Sequence, residues 1–163
     1  MNIWGNKIIA IATCILLVSC EKEVTYVYDV NTVTVSAEGS NKPNVKTTAE
    51  FISIAYSDLL GKAISNAEQQ QLNVAYNSFG DNKLIEDLII KNLLQKPGAQ
   101  IPSKASMLVD VDSFISNTYK KFYNRNPNAF EMYFMHKLIT TNNTITPTLI
   151  YYAFMTSNEY RYY

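Results

Sequence analysis

Phe51-Ile52-Ser53-Ile54-Ala55-Tyr56 and Phe114-Ile115-Ser116-Asn117-Thr118-Tyr119 share one frame, Phe-Ile-Ser-x-x-Tyr. At the same offset Gly61-Lys62 matches Asn124-Arg125, and Glu68 matches Glu131. After a two-residue slip, Leu84, Leu88, Ile89 and Leu93 match Ile145, Leu149, Ile150 and Phe154. Helix breaks and capping acids recur in the same order as the apolar residues. The spacing predicts a unit of three helices, roughly fifty residues long, used twice.

The punctuation around these matches supports helices throughout. Thr47-Thr48-Ala49-Glu50 and Ser65-Asn66-Ala67-Glu68 both read as capping boxes. Phe79-Gly80-Asp81 ends one helix and caps the next, and Lys96-Pro97-Gly98 is a stop. Asn126-Pro127 and Thr146-Pro147 each place a capping side chain before a proline at the first helical position. Gly61 and Asn124 suit the left-handed residue that closes a helix, and Lys62 or Arg125 suits the negative end beyond it. Glu68 and Glu131 fall at the third helical position, where a carboxylate can return to the cap amide. Helices are therefore expected near 48–61, 66–78, 82–95, 112–124, 127–140 and 147–158, with a short turn at 103–109. Apolar stripes run through Phe51, Ile54, Ala55 and Leu59, then Leu84, Ile85, Leu88, Ile89 and Leu93, then Phe130, Phe134 and Leu138. The expected fold class is all-α, two three-helix repeats packed into one small bundle behind an extended tether.

The chain has 163 residues, and its 14 basic side chains balance 14 acidic ones. A neutral surface argues against nucleic acid as a partner, since phosphate binding needs a basic one. Two cysteines are too few for a zinc site or a disulfide scaffold.

The N-terminus reads as an address. Lys7 precedes an apolar run from Ile8 to Val18 that is about half the length needed to cross a membrane. Leu17-Val18-Ser19-Cys20 resembles a bacterial lipobox. The resemblance implies cleavage before Cys20 and a diacylglyceryl group on its thiol, so that residues 1–19 are a lipoprotein signal peptide. That lipid is the one covalent group expected, with no other cofactor and no metal. Processing would remove Trp4, Lys7 and Cys14 and leave no free thiol. Glu21-Lys22-Glu23 lacks the Asp of the inner-membrane retention signal. Its charges partly match the surface-export signal of some Gram-negative lipoproteins. An outer-membrane location is expected, with the outward face favoured over the periplasmic one.

Residues 20–47 read as a lipidated tether. Val24, Tyr26, Tyr28 and Val30 alternate with a period of two, and Val33 and Val35 then take the other parity. The stretch 36–43 is turn-rich linker. An extended spacer and a strand that adds to a partner's sheet edge both fit this pattern. The helical domain occupies 48–163, with repeat 1 at about 48–96 and repeat 2 at about 112–163.

Phe114, Tyr119, Arg125, Pro127, Glu131, Ile145 and Ser157-x-Glu159-Tyr160 resemble the small helical repeats of the phycobilisome-linker-like type. Ala55 to Gly61, with Asp81-x-Lys83, is similar to an N-terminal helical domain of planctomycete cytochrome-associated proteins. Both resemblances rest on packing and capping residues and imply a binding or assembly module. Neither carries over a catalytic residue, and the haem-attachment motif of the cytochrome-linked proteins is absent from the sequence.

No catalytic constellation stands out. His136 is the single imidazole, with Met132 and Thr140 at helical spacing, and reads as a surface or boundary residue. Asp110-Val111-Asp112-Ser113 reads as a helix start with Asp112 or Ser113 as cap, and Glu86-Asp87 as a solvated face. A hydrolytic reading would use Asp58, Asp110 or Asp112. Twelve tyrosines are many for this length, and several crowd the C-terminus. Tyr26, Tyr28, Tyr151, Tyr152, Tyr160, Tyr162 and Tyr163 form the candidate partner surface, since tyrosine is enriched at interfaces. The expected role is a membrane-anchored, non-catalytic accessory or binding subunit of a cell-envelope assembly. The alternatives are a glycan or small-ligand binding module and an accessory domain of an envelope enzyme or electron-transfer system.

Overall fold

The computed structural model describes residues 42–162. They form seven α-helices and a closing 3-10 turn. The helices are α1 (Thr48–Leu60), α2 (Asn66–Ser78), α3 (Asn82–Gln95), α4 (Lys104–Val109), α5 (Val111–Tyr123), α6 (Ala129–Thr141) and α7 (Pro147–Met155), and the turn is Glu159–Arg161. Among the described residues there is no β-strand, only an isolated antiparallel bridge between Val45 and Tyr162. The all-helical reading holds. No described helix is long and apolar enough to cross a membrane.

Each helix begins on a side chain that accepts a hydrogen bond from the amide three residues on: Thr47, Ser65, Asp81, Ser103, Asp110, Asn128 and Thr146. Such caps satisfy amides that the helix itself cannot. Two starts differ from the sequence expectation. Asp110, rather than Asp112 or Ser113, caps α5, with Ser113 N–H donating to its Oδ1 at 2.9 Å. Asn128 caps α6, so Pro127 lies outside the helix. Asn128 takes the role because Glu131 closes a full capping box with it, its Oε2 accepting from the Asn128 amide at 2.8 Å. At Ser65 the box is half made, because the Glu68 carboxylate is engaged elsewhere.

The helix ends agree with the repeat. Gly61 (φ 64°) and Asn124 (φ 52°) are both left-handed closures, and their amides return to Ser57 and Lys120 carbonyls. α7 stops at Met155, short of 158, and the chain tightens into the 3-10 turn.

α1 is the central helix. Phe51, Ile52, Ala55 and Leu59 are wholly buried, and α2 and α3 pack on it. α5 carries the second half of the core through Phe114, Ile115, Tyr119 and Phe122, against α7. Contact between the halves runs through α3 and α7 and through Tyr160, whose ring meets Phe51 edge-on at 6.0 Å and Phe122 at 5.9 Å. Edge-to-face aromatic pairs of this kind add about 1 kcal/mol each beyond area burial.

The halves are not identical. α2 packs extensively on both α1 and α3, whereas the extensive packing of α6 is with α5. Ile139 is the single α6 side chain that is fully buried. The expected inward stripe of this helix is therefore corrected: Phe130 and Phe134 face solvent, at 73% and 53% exposure. Leu84 and Leu88 of α3 likewise lie outside, and Ile85, Ile89, Ile90, Leu93 and Leu94 form its buried face.

The left-handed closures generate a direct test. A Cβ on Gly61 would lie 2.4 Å from Gln100 Nε2, in a backbone region that disfavours side chains. Gly61→Ala should cost about 1–2 kcal/mol and Asn124→Ala about 1 kcal/mol, while Asn124→Gly should be neutral or better. Thermal unfolding followed by circular dichroism reads all three.

Candidate functional site

The most connected side chain is Arg125, just past the end of α5. Its Nε donates to Glu159 Oε1 at 2.6 Å and its Nη2 to Glu159 Oε2 at 2.8 Å. Nη1 and Nη2 donate to the two Glu131 oxygens at 2.7 Å each, and Nη1 also reaches the Asn126 carbonyl at 3.1 Å. All five N–H donors of the guanidinium are used, four in two forked carboxylate pairs and one on the Asn126 carbonyl. The cation lies over the Tyr119 ring at 5.1 Å and the Tyr123 ring at 5.6 Å. The two carboxylates hold the guanidinium more firmly protonated than usual. Burial pushes the Glu131 carboxyl up, but the Arg125 hydrogen bonds, the Asn128 amide and the Arg125 charge together outweigh it, and the net direction is down. This set clamps the end of α5, the start of α6 and the 3-10 turn together.

Repeat 1 carries a looser version. Lys96 Nζ pairs with Glu68 Oε1 at 2.5 Å and lies 5.8 Å from the Tyr56 ring centre. Lys62, which aligns with Arg125, is exposed. The paired glutamates thus do more than cap, which the sequence reading missed. The Tyr-Glu-cation recurrence was the available signal.

A second cluster joins the N-terminal entry to the C-terminal turn. The sequence reading carries the tether to residue 47, but Lys46 is 6% exposed and already part of the domain. Its amide donates to the Arg161 carbonyl at 2.9 Å and its ammonium to the Tyr160 carbonyl. The same ammonium sits 4.0 Å from the centre of the Tyr160 ring. Tyr160 donates through its hydroxyl to Asp58 Oδ2 at 2.7 Å. Lys42 donates to the Tyr123 carbonyl and lies 3.9 Å from Glu159. Burial lowers the Lys46 ammonium to about 8, against the nearby Asp58 charge, and Lys42 and Arg161 push the same way as burial. Burial raises Asp58, and it drives the Tyr160 hydroxyl well above its usual range.

Between α3 and α7 lies an open cleft of about 790 Å³. Leu84, Ile90 and Met155 supply its apolar lining, and Asp81, Lys83, Asn158 and Thr156 are among its polar groups. Glu86 and Asp87 are not the solvated pair expected. Glu86 accepts from the Tyr76 hydroxyl at 2.6 Å and lies 2.5 Å from Arg161 Nη1, off the axis of a hydrogen bond. Asp87 accepts from the Tyr152 hydroxyl and, at 2.7 Å, from Lys91. Lys91 and Tyr152 hold the Asp87 carboxyl below its usual range.

Among the described residues, the candidate tyrosines do not share one exposed patch. Tyr151 and Tyr160 are buried, at 6% and 1% exposure, because aromatic packing against α5 and α1 claims them. Tyr152 lines the cleft, and Tyr162 is exposed at the bridge to Val45. Tyr26, Tyr28 and Tyr163 lie outside the described residues, as do Leu17, Val18, Ser19 and Cys20.

The acids of the hydrolytic reading are dispersed among structural roles. Asp58 receives Tyr160, Asp110 caps α5, and exposed Asp112 meets His136 Nδ1 at 2.6 Å. Among the described residues, no group of three His, Cys, Asp or Glu side chains could hold a metal ion.

The surface that sequence reasoning missed is the outer side of α6. Phe130 and Phe134 stack at 6.2 Å, next to Tyr133 at 65% exposure. At the repeat offset, the matching positions of α2 are Ala67, Gln70 and Gln71, all exposed. The same helix of the same unit is built without aromatics there, so the fold does not require them.

Comparison of the chain with protein-family models, with characterised proteins and with solved structures found no match.

The Lys46 cluster sets a pH dependence. A lysine near 8 in the fold and near 10.5 when unfolded binds more protons in the unfolded state between those values. Stability therefore rises with pH in that window, and it falls again where unfolded tyrosines ionise and the buried ones do not. The Lys46 share from pH 8 to about 9.5 should be about 1.5 kcal/mol. Urea unfolding across this range should show the rise, and Lys46→Met should remove most of it.

Proposed function

We propose that the chain is a lipid-anchored, non-catalytic binding subunit of a cell-envelope assembly, held to the outer membrane through Cys20. It meets a protein partner with the outer face of α6. The observation that carries this reading is the exposed aromatic set on α6, set against the matching α2 positions, which hold no aromatic residue. A stacked phenylalanine pair left in water gains nothing for the fold and gains on the order of 25 cal/mol per Å² when a partner covers it. Lys137 follows Phe130 and Phe134 at helical spacing, so the fitting partner surface is apolar at its centre with a carboxylate at its edge. The lipobox sequence supports the anchor, and the resemblance to linker-type repeats supports an assembly role.

Crosslinking and pull-down from gently solubilised membranes tests the surface. The variant Phe130→Ala/Tyr133→Gln/Phe134→Gln gives α6 the residues that α2 has. It should lose the partner while its melting temperature holds within a few degrees. Recovery of wild-type chain alone as a monomer, recovery of a second copy only, or retention of the partner by the variant would each sink the reading.

The anchor is tested separately. Palmitate labelling and membrane retention should both vanish in Cys20→Ala, and labelling that survives the change would remove the lipid from the account.

A further inference from the structure

Residues 42–46 lie outside every helix and meet the C-terminal turn at the Val45–Tyr162 bridge. We infer that this segment is a detachable strap, which lifts off the turn as a unit and lifts more readily when the Lys46 amine is charged.

Three observations point to a strap. The first is how little apolar surface it covers. Pro43, Asn44 and Val45 are exposed, Lys42 is half-buried, and no residue of the segment belongs to the apolar core. Its grip is a few polar contacts: the Lys42 ammonium on the Tyr123 carbonyl, the bridge, the Lys46 amide on the Arg161 carbonyl at 2.9 Å and the Lys46 ammonium on the Tyr160 carbonyl.

The second is what it does bury. Lys46 is the one buried residue of the segment, and its ammonium has no ion pair among the described residues. Asp58, the acid whose charge it feels, accepts the Tyr160 hydroxyl instead. The Tyr160 carbonyl and ring face compensate in part. A buried ammonium without a carboxylate is a standing cost, and lifting relieves it by hydrating the charge.

The third is where the segment ends. Thr47 caps α1, and Glu50 closes the capping box onto the Thr47 amide at 2.8 Å. The start of α1 is thus held by residues outside the strap, and helix and core stay intact when the strap leaves. Openings that break few contacts and expose no apolar core lie well below global unfolding in free energy. Lifting moves the point of attachment from Lys42 to Thr47 and frees about 15 Å of extended chain ahead of the domain.

Proton linkage sets the direction. Facing the Lys46 amine are Asp58 from α1, Tyr160 and Arg161 from the turn and Lys42 from the strap itself, with Lys121 of α5 acting on Asp58. Burial outweighs Asp58 and brings the seated amine to about 8, against 10.5 when free. The lifted state therefore binds more protons between those values, and lifting gains as pH falls through them. Loss of the Asp58 charge in acid acts in the same direction. The Tyr160 hydroxyl is held well above its usual range and stays neutral throughout.

The test is amide hydrogen exchange of the whole chain followed by NMR. The Lys46 amide exchanges when the strap lifts, whereas the Ala55 and Leu59 amides of wholly buried α1 positions report global unfolding. Relative to unprotected peptide rates, Lys46 should be protected about 100-fold less than Ala55 or more weakly still. Its normalised exchange should rise about fivefold from pH 9 to pH 8 and about twofold from pH 8 to pH 7. In Lys46→Met the same quantity should be flat across this range. Equal protection at Lys46 and Ala55 in the wild type overturns the inference. So does a wild-type Lys46 exchange without the rise, or a rise that Lys46→Met leaves in place. None of these outcomes bears on the α6 surface, which the membrane pull-down reads independently.

Discussion

The guanidinium of Arg125 governs the second half of the molecule. Its fork to Glu131 fixes the start of α6, and its fork to Glu159 fixes the turn that carries Tyr160 into the core. A helix advances about 100° per residue, so pinning Glu131 inward also sets which side of α6 follows it. Met135, Leu138 and Ile139 share that side and are wholly or partly buried. Phe130, Tyr133 and Phe134 are turned away. The exposed aromatic face is thus a geometric result of an ion pair one turn from it. The pair is partly shielded from water, where truncating one partner strands the others and costs more than the pair contributes. Lysine could not replace it, having neither the planar fork nor enough donors.

The same unit in repeat 1 shows what changes when the grip differs. There Glu68 is held by Lys96, from the far end of α3, rather than by the residue after the first helix. That draws α2 toward α3, and α2 packs on two helices. In repeat 2 the cation comes from the α5 end and the second anchor is the 3-10 turn, so α6 rests on α5. The two halves thus differ both in the residue that supplies the positive charge and in the helices on which the middle helix packs.

How much of this was legible in the sequence follows from range. Helix existence, the left-handed closures at Gly61 and Asn124 and most caps are set by residues within four positions, and the sequence reading finds them. Asn128 was missed as a cap because Asn126-Pro127 carries the stronger local signal, and the Arg125–Glu131 fork outweighs it. The rotation of α6 could not be read at all. Its sequence offers two apolar stripes, and the choice between them is made by the Arg125–Glu131 fork, whose arginine Glu159 braces from far along the chain. The burial of Tyr151 and Tyr160 was hidden for the same reason. Tyrosine suits core and interface alike, and only the partners Phe51, Phe122 and Asp58 settle its place. The cleft too is tertiary, built from two helices that sequence pattern assigns to separate repeats.

The bridge between Val45 and Tyr162 has a mechanical meaning. Traction applied at Lys42 would fall first on its bond to the end of α5, then on the Val45 bridge, the Lys46 amide and the Lys46 ammonium seated on Tyr160. These contacts couple the incoming chain to the C-terminal turn and to α5 before any turn of α1 is strained. A pull applied at Lys42 would therefore load the C-terminal turn and the end of α5 before α1, and release of Lys46 would free the turn that holds Tyr160 while α1 was still wound.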